Sequence, residues 1–225
     1  MHIGRKHLPC PILKVHDTDV EEVTEDTYLG DIVSADGRNS KNISARLSKG
    51  LGLITQIMNM LEAVSLGEHY MEIAIMFREA LFINGILTNA DIWYGFSESE
   101  VQQFEDLDKH LLRRVLQVPI STPEEALHLE LGLLPIGVLV KARRINFFHY
   151  LLRRSESEML YQFFQTQWNN PSKGDWTETV KVDLKHFGIA CDFKKIKSKS
   201  TEAFKRTVRI KAQEYALEKL TLKQH

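Results

Sequence analysis

From Ser40 onward the apolar positions recur at helical spacing. Ile43, Leu47, Leu51, Ile54, Met58 and Leu61 step by three and four, which draws one face of a helix. Asn39 or Ser40 can cap it, and Gly67 can stop it. Residues 68–93 form a second helical stretch, apolar on most sides, and a helix of that kind is central to its fold; Asn84-Gly85 is the expected kink. Ser97-Glu98-Ser99-Glu100 has the form of a capping box opening a helix over 98–117. On that helix Val101, Phe104, Leu107, Leu111 and Val115 would be buried, with Glu98, Glu105, Asp106 and Asp108 shown to solvent. Thr122 is the expected N-cap of a short helix with Pro123 at its first position, and Gly132 is its expected stop. Pro135 then starts a long helix running to Arg154. Further helices are expected over 156–168, from an Asp175 cap to Gly188, and from a Ser200 cap through Phe204, Val208, Tyr215 and Leu220.

Only residues 12–34 alternate as strands do. ILKVH and VEEV are short β-branched runs split by the turn-forming Asp17-Thr18-Asp19, and TYLGDIVS follows. The pattern predicts a mainly α fold, with a small N-terminal hairpin or meander ahead of a helical bundle. The expected units are residues 1–37, 38–120 and 121–225.

Charge changes this picture by dividing the chain. Net charge is −1. Yet residues 1–140 hold 11 Lys and Arg against 21 Asp and Glu, while residues 141–225 hold 18 against 9. The basic half contains the runs KKIKSK and KRTVRIK. A basic surface beside an acidic one is an electrostatic footprint for nucleic acid, although such runs also occur as plain solvated faces. On the long helix Arg143, Phe147, Tyr150 and Arg154 fall on one stripe, able either to bind phosphates and stack bases or to serve as core with charged ends. Cys10 and Cys191 are two distant thiols, which fits a reducing intracellular compartment, nuclear or cytoplasmic. No run is long enough to span a membrane, and none has the form of a signal peptide.

Candidate chemistry is sparse. His2, His7, Cys10 and His16 are all ligand types, but they lack the paired spacing of a zinc site, so no metal site is expected. No carboxylate pair suits two-metal chemistry, and no phosphate loop, nucleophile elbow or C-x-x-C motif occurs.

Taken in order, TYLGDIVSADGRN, LSKGLGLI, INGILTNADIWYG, STPEEALHLELGLLPIGVLVKARRINFFHYLLRR and NPSKGDW resemble the part of non-LTR (LINE-type) retrotransposon reverse transcriptases that follows the catalytic palm. The resemblance covers nearly the whole chain and implies roles. Residues 1–14 would be the end of the palm. Thr27–Ser34, centred on Tyr28, Leu29 and Gly30, would be the primer-grip hairpin, and residues 40–117 the thumb. Lys41, Arg46 and Lys49, beside Gly50 and Gly52, would lie along an RNA–DNA hybrid. The remainder, with Arg143, Arg144, Arg153 and Arg154, would be a post-thumb region handling RNA or target DNA.

The family's aromatic-x-Asp-Asp polymerase box is not in this sequence, and neither are fingers, most of the palm or the cysteine-rich segment. The chain by itself is therefore expected to have no catalytic residues and no cofactor, the parent's Mg2+ being held by residues absent here. The expected partners are RNA or an RNA–DNA hybrid and the palm and fingers of a parent polymerase, with no membrane partner. The expectation is of a partial product of a longer polymerase. The rival readings are a helical structural or protein-interaction remnant and a subunit completing a polymerase in trans.

Overall fold

A computed structural model describes residues 14–16, 18–19, 23–28, 30–36, 39–63, 67–93, 97–172 and 174–222. The architecture is mainly helical, with short antiparallel pairs at its N-terminal side. Strand β1 (Lys14–Val15) pairs with β2 (Thr18–Asp19), so the first turn comes one step earlier than expected, with His16 at φ 49°. Asp17 and the VEE of the next run lie outside the described residues. Strand β3 (Glu25–Tyr28) pairs with β4 (Asp31–Ser34) in the register Tyr28↔Asp31. That register leaves a two-residue turn, and Gly30 takes it at φ +83°, in the left-handed region that glycine enters without steric cost.

Among the described residues the second hairpin has no larger sheet beneath it, and it docks instead on α1 (Ser40–Ala63). Asp31 is the hub. Its carboxylate accepts from Arg46 Nη2 at 2.9 Å, from Asn42 Nδ2 at 2.9 Å and from the Asn89 amide. Arg46 Nη2 also donates to the Gly30 carbonyl at 2.8 Å. Buried polar groups are stable only when matched in this way.

Helix α1 buries Ile43, Ile54, Ile57, Met58 and Leu61 as its spacing requires, but Leu51 stays 57% exposed. It passes close to its neighbours at two glycines. A Cβ on Gly50 would meet Leu107 Cδ2 at 2.4 Å, and one on Gly85 would meet Leu53 Cδ1 at 2.5 Å. A 3-10 turn (Gly67–His69) leads into α2 (Tyr70–Phe77), a π-helical turn (Arg78–Ile83) and α3 (Asn84–Ile86). The irregularity expected at Asn84-Gly85 is thus the π turn immediately before it. A π turn carries an inserted residue, and this one turns Arg78 inward, 1% exposed. Only the later part of the stretch is central, for Phe82, Ile83, Ile86 and Leu87 are buried while Met76 is 54% exposed.

Helix α4 (Glu98–Leu116) has its capping box, with Ser97 Oγ accepting from Glu100 N and the Glu100 carboxylate accepting from Ser97 N. Glu105 and Asp108 are buried rather than shown to solvent. Helix α5 (Glu124–Leu131) has Pro123, not Thr122, at its N-cap position, and Gly132 ends it at φ 62°. The Thr122 carbonyl instead accepts from Arg113. Helix α6 (Ile136–Leu152) follows, closing two residues before Arg154. Then come α7 (Met159–Asn169), α8 (Trp176–His186) with its Asp175 cap, α9 (Phe193–Ser198) and α10 (Thr201–Leu222). Helix α9 occupies the KKIKSK run. Asp192 caps it and Ile196 anchors it, so a run readable as solvated charge folds as one amphipathic turn and a half.

Among the described residues, two apolar clusters form. The first joins α1, the π turn, α3 and α4; the second joins α7, α8, α9 and α10. Helix α6 feeds both, giving Ile136 and Val140 to the first and Val138, Ile145, Phe148, Leu151 and Leu152 to the second. Packing is therefore continuous across residues 120–121.

Candidate nucleic-acid interface

The sequence offers ten residues for nucleic-acid contact, and their placements differ. Tyr28 stands 68% exposed at the hairpin tip. Leu29 lies outside the described residues. The Gly30 carbonyl is occupied by Arg46.

On α1, Lys41 is exposed and ion-paired with Glu25, an interaction that raises its proton affinity. Lys49 is exposed. Arg46 does not lie off the apolar stripe. It is 5% exposed, and its guanidinium is spent on Asp31 and the Gly30 and Gly85 carbonyls. A guanidinium so engaged cannot also lie along a duplex. Gly50 likewise serves contact with Leu107, and only Gly52 opens to solvent. The α1 patch reduces to two lysines, one of them paired.

Arg143 and Arg144 are internal ties. Arg143 donates to the Leu87 carbonyl at 2.7 Å and to Asn84 Oδ1 at 2.8 Å, fastening α6 to the end of α3. Arg144 is 4% exposed and donates from Nε to Asp183 Oδ2 at 2.7 Å, with Lys141 on the other oxygen at 3.1 Å. Arg144 is thereby withdrawn from external ligands, while Arg143 is half-buried and committed to these two acceptors.

The last two arginines converge. Helix α6 ends where α10 begins, and between these ends lies a cleft of about 390 Å³ lined by Asn146, His149, Tyr150, Arg153, Arg154, Thr201 and Lys205. Arg153 reaches across to Thr201 Oγ1 at 2.6 Å. Arg154 lies over the Tyr150 ring at 4.2 Å and meets Glu158 at 3.5 Å, and its Nε has no hydrogen-bond partner. Lys205 enters from α10 with Glu202 at 3.6 Å.

The floor of the cleft is firm. His149 is 2% exposed and stacks on Phe204 at 4.3 Å. Burial lowers its proton affinity, and its Nε2 stands against the Lys199 carbonyl at 3.2 Å. Asn146 Oδ1 is buried there without a partner. The aromatic stripe divides accordingly. Phe147 packs edge-on against Trp176 as part of the second cluster, while Tyr150, stacked on Phe147, stays 43% exposed.

Guanidiniums offer planar, forked donors to phosphate oxygens, and a guanidinium laid on an aromatic ring presents its outer face to a base. The cleft combines these donors with a lysine on a rigid helix pair. Asn146, His149, Thr201 and Lys205 were not among the sequence candidates. Thr201 and Lys205 come from some fifty residues away, and only the packing of α10 on α6 places them here. Among the described residues no helix is long and apolar enough to cross a membrane. Compared with known proteins, the chain matches no family model, no curated protein and no solved structure.

Proposed function

We propose that this chain is a nucleic-acid-binding, non-catalytic part of a non-LTR-type reverse transcriptase, engaging RNA or a template–primer hybrid at the junction of α6 and α10. The observation that carries the binding is the convergence of Arg153, Arg154 and Lys205 around Tyr150. The order of the segments that resemble the family supplies the identity of the ligand. The family's aromatic-x-Asp-Asp box does not occur in this sequence. Its contribution would be to hold the nucleic acid for a palm carried elsewhere.

Fluorescence anisotropy of the full chain with a labelled single-stranded RNA and an RNA–DNA hybrid tests this. Three phosphate contacts predict a slope of about −2 in log affinity against log salt on single strands. Replacing Arg153, Arg154 and Lys205 with Gln should remove most of that slope, and Lys49→Gln should leave it nearly unchanged. Absence of binding at low salt in a folded sample would reject the reading. That outcome would favour the second reading, a helical protein-interaction remnant. The observation behind it is the apolar patch on α7, where Met159 is 72% and Phe163 68% exposed.

A further inference from the structure

Where α5 turns back into α6, three helices bring polar side chains to one buried point. Glu124 and His128 sit one turn apart on α5 and share a face. Glu105 reaches the same point from α4, and one ligand atom of each lies within 4.8 Å of the others. The reason for Glu105 is visible in the backbone. Pro135 occupies the N-cap of α6 and has no side-chain acceptor, so Glu105 Oε1 accepts the Gly137 N–H at 2.7 Å in its place.

That leaves the second oxygen. Glu105 is 7% exposed, and its Oε2 is buried with no hydrogen-bond partner. His128 is 1% exposed, and neither ring nitrogen makes a hydrogen bond of normal geometry, although the Leu133 backbone stands close to the ring. Buried polar atoms are seldom left unmatched, and a cation would match the Glu105 oxygen and one imidazole nitrogen of His128 together.

We propose that Glu105, Glu124 and His128 form a site for a divalent transition-metal ion, with Zn2+ the best match, that ties α4 and α5 to the N-terminus of α6. One imidazole nitrogen and two carboxylate oxygens are ordinary zinc donors, and bonds of about 2.0–2.2 Å need only small side-chain rotations from the present spacing. Mg2+ and Ca2+ suit the set poorly, because they require more oxygen ligands.

The surrounding charges permit the site. Lys109 Nζ lies 3.5 Å from Glu124 Oε2 but 2.6 Å from Asp106, its closer partner, and it keeps Asp106 when a cation takes Glu124. Arg78 is paired with Asp108. The Glu124 side chain is 15% exposed, which gives an ion its entry. This site does not depend on the nucleic-acid reading, and each can fail without the other.

The test is isothermal titration of the chelator-stripped full chain with Zn2+, paired with thermal melts. The expected result is one equivalent bound, with Tm rising as Zn2+ is added. Glu105→Gln and His128→Gln should each weaken binding by at least about tenfold. Glu105→Gln keeps an amide oxygen for the Gly137 N–H, and far-UV circular dichroism checks that both variants are folded. A chain with His2, His7 and His16 changed to Gln and Cys10 to Ser should bind as before. Lack of binding by the stripped chain, binding that survives both ligand changes, or binding lost with the N-terminal set overturns the proposal. Should the ligand variants misfold, Co2+ absorption of the unaltered chain decides. Visible bands without a thiolate charge-transfer band support the site, and a thiolate band rejects it.

Discussion

Arg78 and Asp108 are 1% and 0% exposed as side chains, and they meet in a forked pair, Nε to Oδ1 at 2.8 Å and Nη2 to Oδ2. Desolvation works against both charges, and the pair survives because each satisfies the other, with Glu79 and the Leu134 carbonyl completing the guanidinium. Removing one partner leaves a buried charge, so Arg78→Met should cost about 3–5 kcal/mol in urea unfolding. Adding Asp108→Leu to that variant should recover a large part. Asp31, half-buried, poses the opposite case. Burial would raise its proton affinity, but Arg46, Asn89 and Asn42 more than offset that, and the net shift is downward. The stabilisation it provides is therefore complete above the unfolded value of about 3.9 and is lost as pH falls through the lower folded value. Asp31→Asn should be less stable than the parent at pH 7, with the gap closing in unfolding curves taken near pH 3. Asp108 was expected in solvent, yet spacing holds a signal for these buried charges. Asp108 continues the Phe104–Leu111–Val115 spacing, Arg46 falls between Ile43 and Gly50, and Arg144 between Val140 and Phe148. A charge in register with an apolar stripe announces a buried partner. What spacing does not give is the partner itself, since Asp31, Asp108 and Asp183 arrive from other elements.

Helix ends were legible because their signals are local. The Ser97–Glu100 box, Gly132 and the Asp175 cap lie within four residues of what they terminate. The glycines inside α1 were not, for two residues of the same type two positions apart face different surroundings. A Cβ on Gly50 would lie 2.4 Å from Leu107 Cδ2 and 3.0 Å from Ile86 Cγ2, whereas nothing lies within 4 Å of one on Gly52. Gly52→Ala should therefore stabilise by about 0.5–1 kcal/mol through helix propensity alone. Gly50→Ala gains the same propensity but overpacks the α1–α4 contact, at a cost of about 1–3 kcal/mol. Thermal melts of the two variants should move in opposite directions, Gly52→Ala upward and Gly50→Ala downward. Equal upward shifts would show that Leu107 swings away freely and that the α1–α4 approach is loose. The same contrast separates Gly50, expected beside a nucleic-acid duplex and found packed on Leu107, from the open Gly52.

At the scale of the whole molecule, charge and packing divide the chain differently. The acidic residues crowd into 1–140 and the basic ones into 141–225, so an anionic ligand is drawn towards the half that holds the α6–α10 cleft. Packing does not part there. Helix α6 places side chains in both clusters, Arg143 donates to the Leu87 carbonyl, and Trp176 Nε1 donates to the Asp91 carbonyl at 2.7 Å. Lys141 and Arg144 clamp α8 onto the same helix through Asp183. A unit joined through a shared central helix should open as one, because neither cluster keeps its Val or Ile contacts once α6 leaves. Native-state hydrogen exchange measures this directly. Amides of Ile54–Leu61 and Leu107–Val115 in the first cluster, and of Val180–Leu184 and Val208–Ala216 in the second, should share one opening free energy within about 1 kcal/mol, the global value. Phe148→Ala, which removes a ring from the second cluster, should lower that value by about 3–5 kcal/mol in all four segments together. Loss confined to α8 and α10 would mean that the two clusters open separately and that α6 is a linker rather than a common spine.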